Sequence, residues 1–530
     1  LLIFLILILI AKIKADGATY YISLNSTSQN SLCGDTQENA CPSILSALNL
    51  IPVNGNGGNN VTFILDDGTY SGANNTNLNI FGYSIVVQPL NEESPKVFFN
   101  GSIGTSSAVF INFDRGNTPN ALTQLVVKNI VFQSFGNANL KGGIFNSTTV
   151  NSNFVLEING CTFNSNTALQ GSVVNIYNDQ DNQYDVNITI SKSTFNSNNF
   201  VLFISEFANL SIDLCSFDGS STSHKNQLAS VLYMNSGLLQ ITNTNITSSS
   251  TSTPINLYGL YGQHFSLINN CIFDSNSIGD DGGVFTISFT LLNITNSVFS
   301  NNAAISGAAL SAHGSQTYVK IFNSKFLNNR SNGKGGAINL RSSVFSDISN
   351  CEFSGNSASS GGSISLEYTE LLNLNNCSFD NNDVSLKGGA IFTSFGDINF
   401  NQVTITNSNA SEGGAVYCAA SKLNMPNNTV LANNIDSGNG TDAYEYNFGF
   451  KVSVNSYNIY CALDPTYTYC DISGDEPYSS LCGYVEINDK DSGLSKGQLA
   501  GIIIGATLGA AVIAFGAAWL ISKTTIGEHY

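Results

Sequence analysis

The chain is 530 residues long with a net charge of −18, yet only 11% of its residues are charged. The sign argues against nucleic acid or an anionic membrane surface as partner, and the low charge density argues against a solvated disordered chain. Forty-eight Gly against 2 Met and 1 Trp, in a background rich in Asn, Ser and Thr, describe a turn-rich all-β protein rather than a helical enzyme.

In chain order, Leu1 to Ile10 is wholly apolar and is followed by Lys12, Lys14 and Ala15. A short apolar run ending in a small residue predicts a signal peptide over 1–15, cut before Asp16, with a truncated start because no Met opens it. Residues 16–60 are predicted to form an N-terminal cap containing a short amphipathic helix over Pro42 to Ile51. Such a cap would cover the open apolar end of a repetitive coil.

Residues 61–440 are read as the β-helix, and within them one pattern recurs about every 27 residues, with anchors from 132 to 405. It reads apolar, x, apolar, x, Asn, Cys or small, x, Phe, x, x, Asn, and then Gly-Gly-small-aliphatic. The anchor position holds Phe132, Phe163, Phe195, Phe217, Ile246, Phe273, Phe299, Phe326, Phe353, Phe379 and Ile405, and the residue five before each anchor is always apolar, from Val127 to Phe400. Apolar residues at period two over so few positions mean short strands with one buried face, and never the i, i+3, i+4 spacing of a helix. Three strands per repeat, separated by Asn and Gly turns, predict an all-β, right-handed parallel β-helix of about eleven or more rungs. Asn243, Asn270, Asn296, Asn323, Asn350 and Asn376 fall where a strand must turn. A second Asn column runs through Asn166, Asn198, Asn276, Asn302, Asn329, Asn356 and Asn382.

Residues 441–497 lose the repeat and are read as a Tyr- and Cys-containing cap and stalk. Leu499 to Ile521 then runs without a charge, long enough for a helix across a hydrocarbon core of roughly 30 Å. The transmembrane helix is placed at 498–521 and a cytoplasmic tail at 522–530, giving a type I single-pass protein with an extracellular ectodomain at the plasma membrane or cell surface. Gly501, Gly505 and Gly509 share one face of that helix and would permit a homodimer.

The paired tetrapeptides Phe326 to Asn329 with Gly335 to Ile338, and Phe379 to Asn382 with Gly388 to Ile391, resemble the repeats of the chlamydial polymorphic outer-membrane proteins. These belong to the broader pectin-lyase-like β-helix group. The resemblance covers about residues 125–420 and implies a surface-exposed adhesin. Members of that family end in a β-barrel translocator, whereas this chain ends in one apolar stretch.

Chemistry is sparse. Lys320, Lys325, Arg341, Asp347 and Glu352 form the densest charged group, but counting back from the anchors sets Lys320 opposite Asp347 and Lys325 opposite Glu352. That is a surface ion ladder rather than an active site. His224, His264, His313 and His529 stand apart from any carboxylate pair. Asp274, Asp280 and Asp281 are candidate Ca²⁺ ligands through a turn. Cys161, Cys215, Cys271, Cys351 and Cys377, each two before an anchor, are expected as buried thiols, leaving Cys33, Cys41, Cys418, Cys461, Cys470 and Cys482 as disulfide candidates. The simplest pairing joins Cys33 to Cys41 and leaves three connectivities for the other four. Glycosylation sequons occur at Asn25, Asn60, Asn74, Asn100, Asn146, Asn187, Asn209, Asn245, Asn293, Asn329, Asn376, Asn409, Asn427 and Asn439. The expectation is a non-catalytic adhesion or recognition module without a cofactor, whose ligand is a cell-surface or matrix glycan or protein. A membrane-anchored polysaccharide lyase or hydrolase is the rival, and a passive coat or stalk the third reading. A contiguous outward cluster of carboxylates with Arg, Lys or His would favour the enzyme, and an aromatic stripe would favour carbohydrate binding; neither is evident in the sequence.

Overall fold

The computed structural model describes residues 17–474 apart from short stretches, the longest of which are 220–230 and 438–458. The predicted signal peptide, transmembrane helix, tail and glycine face therefore lie outside the described residues. Among those described, no helix is long and apolar enough to cross a membrane.

Among the described residues every strand pairing is parallel, and the strands form a 26-stranded, a 14-stranded and a 6-stranded sheet. One complete turn contains Phe285–Ser288 and Leu291–Thr295 in the long sheet, Val298–Ser300 in the 14-stranded sheet, and Ala303–Ala304 in the short one. The three strands expected per turn are thus four in this half of the coil, two of them sharing a sheet. At Ile364–Asn375 and Ile391–Asn401 these two fuse into one bent strand.

The anchor column is the spine of the core. Phe299, Phe326, Phe353 and Phe379 are fully buried and stack with ring centroids 4.9, 4.7 and 4.7 Å apart and planes within 5° of parallel. That spacing is one strand-to-strand step, because equivalent residues of successive turns pair in register.

The two Asn columns do different work. The outer one, Asn243 to Asn376, holds left-handed backbone with φ between 49° and 55° at the corner leading into the anchor strand, a conformation Asn tolerates better than other side chains. The inner column is buried, and from Asn276 to Asn382 it runs as a continuous amide ladder. Asn302 Nδ2 donates to Asn329 Oδ1 at 2.9 Å and Asn329 Nδ2 to Asn356 Oδ1 at 3.0 Å, while each also donates to an anchor carbonyl of the preceding turn. Buried amides are tolerable only because these donors and acceptors are satisfied.

The Gly-Gly pair also divides its labour. The first glycine carries positive φ, 64° at Gly335 and 68° at Gly388. The second is required by close approach, since a Cβ on Gly389 would lie 2.0 Å from the Gly414 carbonyl oxygen.

The coil extends beyond the repeat at both ends. Ala18–Ile22 pairs with Asn59–Leu65, so the region read as a cap already contributes a parallel strand. The helix is shorter than expected, Ile44–Leu48, with Ser43 accepting from the Ser46 N–H at 3.1 Å. At the other end Ile459–Ala462 and Cys470–Gly474 add to Val416–Ala419 and Ser421–Met425. Backbone pairing needs no anchor Phe, which is why the loss of the motif after 440 does not end the sheet.

Candidate functional site

The last residues of the strands Ile255–Tyr258, Phe285–Ser288, Leu310–His313 and Ile338–Arg341 align in register, and Glu367 and Ser394 continue the row. The first and third residues of these strands are buried in the coil. Tyr258, Ser288, His313, Arg341, Glu367 and Ser394 therefore form one column on the side of the coil away from the core, in which Ser288 is itself buried.

The residue after each strand turns the corner with positive φ: Phe289 at 50°, Gly314 at 100°, Ser342 at 51°, Tyr368 at 54° and Phe395 at 55°. Bulky aromatic residues adopt this backbone at a cost of roughly 1–3 kcal/mol each. The corner throws their rings outward. Tyr368 is 66% exposed and stacks on Phe395 with centroids 4.9 Å apart and planes within 7°. At the other end Tyr258, 49% exposed, meets Phe289 edge-on at 5.6 Å. Two aromatic platforms thus flank the polar column. From Phe289 to Tyr368 is three turns, about 14 Å at the strand spacing.

The polar residues between them are linked. Ser288 Oγ and His313 Nε2 are 2.5 Å apart. Arg341 Nε lies 3.3 Å from Glu367 Oε2 and its Nη1 3.9 Å from Asp281 Oδ2, while Lys334 Nζ makes a short contact with Glu367 Oε1. Burial pulls the His313 pKa below its ordinary value and the Arg341 charge adds to this, with Asp281 opposing, so the imidazole is neutral near pH 7. Lys334 also lies over the Phe392 ring at 5.3 Å, at the edge of an outer stack through Tyr417 and Tyr460. Two carboxylates and two cations satisfy one another, leaving a nearly neutral surface able to donate and accept hydrogen bonds.

Other predicted site residues are dispersed. Lys325 and Glu352 pair at 2.8 Å on an exposed surface, worth roughly 0–1 kcal/mol. Lys320 is in register with Asp347, but Asp347 accepts from the Tyr318 hydroxyl and from Asn373 Nδ2 at 2.7 Å. Arg341 leaves that predicted group altogether, since it lies on a different strand and faces Glu367. Asp274 sits on the 14-stranded sheet with its carboxylate occupied by Ser275, Ser300 and Asn301. Burial raises its pKa, yet these hydrogen bonds outweigh burial and hold it below the carboxylate range. Asp280 caps its neighbour's N–H at 2.9 Å, and Asp281 turns toward Arg341. Among the described residues no three His, Cys, Asp or Glu side chains converge as a metal site.

Cys33 is bonded to Cys41 and Cys418 to Cys470; Cys461 is also disulfide-bonded, and Cys482 lies outside the described residues. Cys161, Cys215, Cys271, Cys351 and Cys377 are buried thiols. Of the sequons, Asn25, Asn60, Asn74, Asn209 and Asn245 are exposed, and Asn100, Asn146, Asn187 and Asn293 are half-buried. Asn427 and Asn439 lie outside the described residues. Asn329 is fully buried in the inner ladder and unavailable for a glycan.

Counting from the anchor Phe misses the outward column. Its residues stand six after the first glycine of each turn, Gly282, Gly307, Gly335, Gly361 and Gly388, which is the signal that locates Ser288, His313, Arg341, Glu367 and Ser394.

The Chlamydia polymorphic membrane protein repeat matches residues 323–341 and 376–394. Neither a curated protein nor a solved structure matches the chain. Each matched stretch runs from the outer corner Asn through the anchor and the Gly-Gly turn to the outward column, at Arg341 and at Ser394. The chain is a parallel β-helix protein built on polymorphic membrane protein-like repeats.

Proposed function

We propose that the protein is carried at a cell surface as a single-pass membrane protein and acts in recognition or adhesion, binding an extended neutral glycan along the face from Tyr258 to Phe395. One observation carries this reading: an exposed tyrosine stacked on a phenylalanine, both in costly left-handed backbone, beside a row of paired hydrogen-bonding groups. Flat aromatic faces take the apolar faces of sugar rings, and the polar column supplies hydroxyl partners. The net charge of −18 disfavours polyanions. The repeat match, in a family named for membrane proteins, supports surface placement.

The test is a glycan array with the purified protein, beside a cell-attachment assay. Tyr368→Ala should weaken binding at least about tenfold, roughly 1.4 kcal/mol. Attachment that depends on Tyr368 with no glycan retained would shift the ligand to a protein; attachment indifferent to Tyr368 and Tyr258 would overturn the site.

A second reading, hydrolysis or lysis of polysaccharide, is favoured by the Ser288 and His313 contact beside Arg341 and Glu367. Product release abolished by His313→Ala, with binding retained, would establish it over the first.

A further inference from the structure

The five free thiols among the described residues occupy one column, two residues before the anchor. Three are isolated from one another by hydroxyl residues. Ser193, Thr244 and Ser297 sit on the turns after Cys161, Cys215 and Cys271 and accept their backbone N–H groups at 3.1, 3.3 and 3.2 Å.

Cys351 and Cys377 differ in standing on consecutive turns. Glu352–Ser354 and Ser378–Asp380 pair in register, the Ser378 N–H donates to the Cys351 carbonyl at 3.0 Å, and Phe353 stacks on Phe379 at 4.7 Å. Cα atoms one strand spacing apart, about 4.8 Å, fall inside the roughly 4.4–6.8 Å found across disulfides. The Cys351 thiol lies 3.2 Å from the Ser349 carbonyl, and the Cys377 thiol lies 3.4 Å from the Ile348 and Asn375 carbonyls. Both border an open groove of about 580 Å³, with Asn350, Asn376, Lys325 and Glu352 around them, and are themselves 3% and 2% exposed.

We propose that Cys351 and Cys377 form a peroxide-reactive dithiol that closes to a disulfide between neighbouring turns. The first sulfur to react is Cys377. The adjacent Cys351 thiol draws its pKa down against burial, while Cys351 is pushed up by the same interaction and then by burial. The thiolate is the nucleophile. Cys377 sulfur attacks one peroxide oxygen; the O–O bond breaks, a sulfenic acid forms, and the departing hydroxide takes the thiol proton as water. Cys351 sulfur then attacks the sulfenic sulfur, the S–O bond breaks, the S–S bond forms, and the hydroxyl leaves with the Cys351 proton as a second water. Two thiols are oxidised and one peroxide is reduced to two waters. The product staples two turns at the groove floor, on a different face from the aromatic platforms.

The experiment treats the folded full-length protein with hydrogen peroxide, denatures it, alkylates remaining thiols and maps peptides without reduction. The expected result joins the Cys351 and Cys377 peptides with loss of two hydrogens and leaves Cys161, Cys215 and Cys271 alkylated. In Cys351→Ser a sulfenic-acid trap such as dimedone should label Cys377, and in Cys377→Ser labelling at Cys351 should fall roughly tenfold. Circular dichroism establishes that each variant is folded. Five alkylated thiols after peroxide, or equal oxidation of all five, would overturn the proposal. Equal trapping in the two variants would overturn the assignment of Cys377 as attacker.

Discussion

Replacing Asn329 with Ala tests whether the inner amide ladder holds the coil together. The side chain donates to the Phe299 carbonyl at 2.9 Å and to Asn356 Oδ1 at 3.0 Å, and its Oδ1 accepts from Asn302 Nδ2 at 2.9 Å and from the Asn302 N–H at 3.2 Å. Truncation leaves the Asn302 N–H buried without its side-chain acceptor, costing about 1–3 kcal/mol. Loss of the bonds to Phe299 and Asn302 Nδ2 adds about 1 kcal/mol each, since Asn302 Nδ2 keeps its bond to the Phe273 carbonyl. The expected destabilisation is about 3–5 kcal/mol, concentrated in the turns on either side because a solenoid is coupled mainly to its nearest neighbours. The control is Asn323→Ala. Asn323 is exposed and its amide makes one bond, to Asn296 Oδ1 at 2.7 Å. Its φ of 50° adds strain for Ala, for a total of about 1–2 kcal/mol. Hydrogen exchange and guanidinium unfolding of both variants read the difference. Equal losses would refute the view that buried amide pairing stabilises these turns, and so would a glycan on Asn329.

Two further outcomes follow from geometry. Gly389→Ala should lower the thermal midpoint severely, since its Cβ would meet the Gly414 carbonyl oxygen at 2.0 Å, whereas Gly279→Ala meets nothing within 4 Å and should be near neutral; comparable shifts by calorimetry would contradict the close packing of the Gly-Gly turn. His313 has a folded pKa below its ordinary 6.5, so the unfolded chain binds the proton more readily and its share of stability, full above about pH 6.5, is lost as pH falls through the folded value. The unfolding midpoint should therefore drop more between pH 7 and pH 5 in the wild type than in His313→Gln, and identical slopes would remove His313 from this role.

The repeat period, the buried anchor column and the positions of the turns were legible in the chain because all are local. An apolar residue five before each Phe faces the core wherever it sits, and Asn or Gly at a fixed offset serves a corner irrespective of its neighbours. The staple between Cys418 and Cys470 was open to three connectivities, because disulfide partners are set by distance in space. The outward face was hidden for a related reason. Ser288, His313, Arg341 and Glu367 precede their anchors by eleven, thirteen, twelve and twelve residues, as the bend between the first two strands changes length from turn to turn. No single count from Phe aligns them. Only hydrogen-bonded register, which realigns each strand with the next after every bend, decides that His313 lies beside Ser288, that Arg341 reaches Glu367, and that Tyr368 stacks on Phe395.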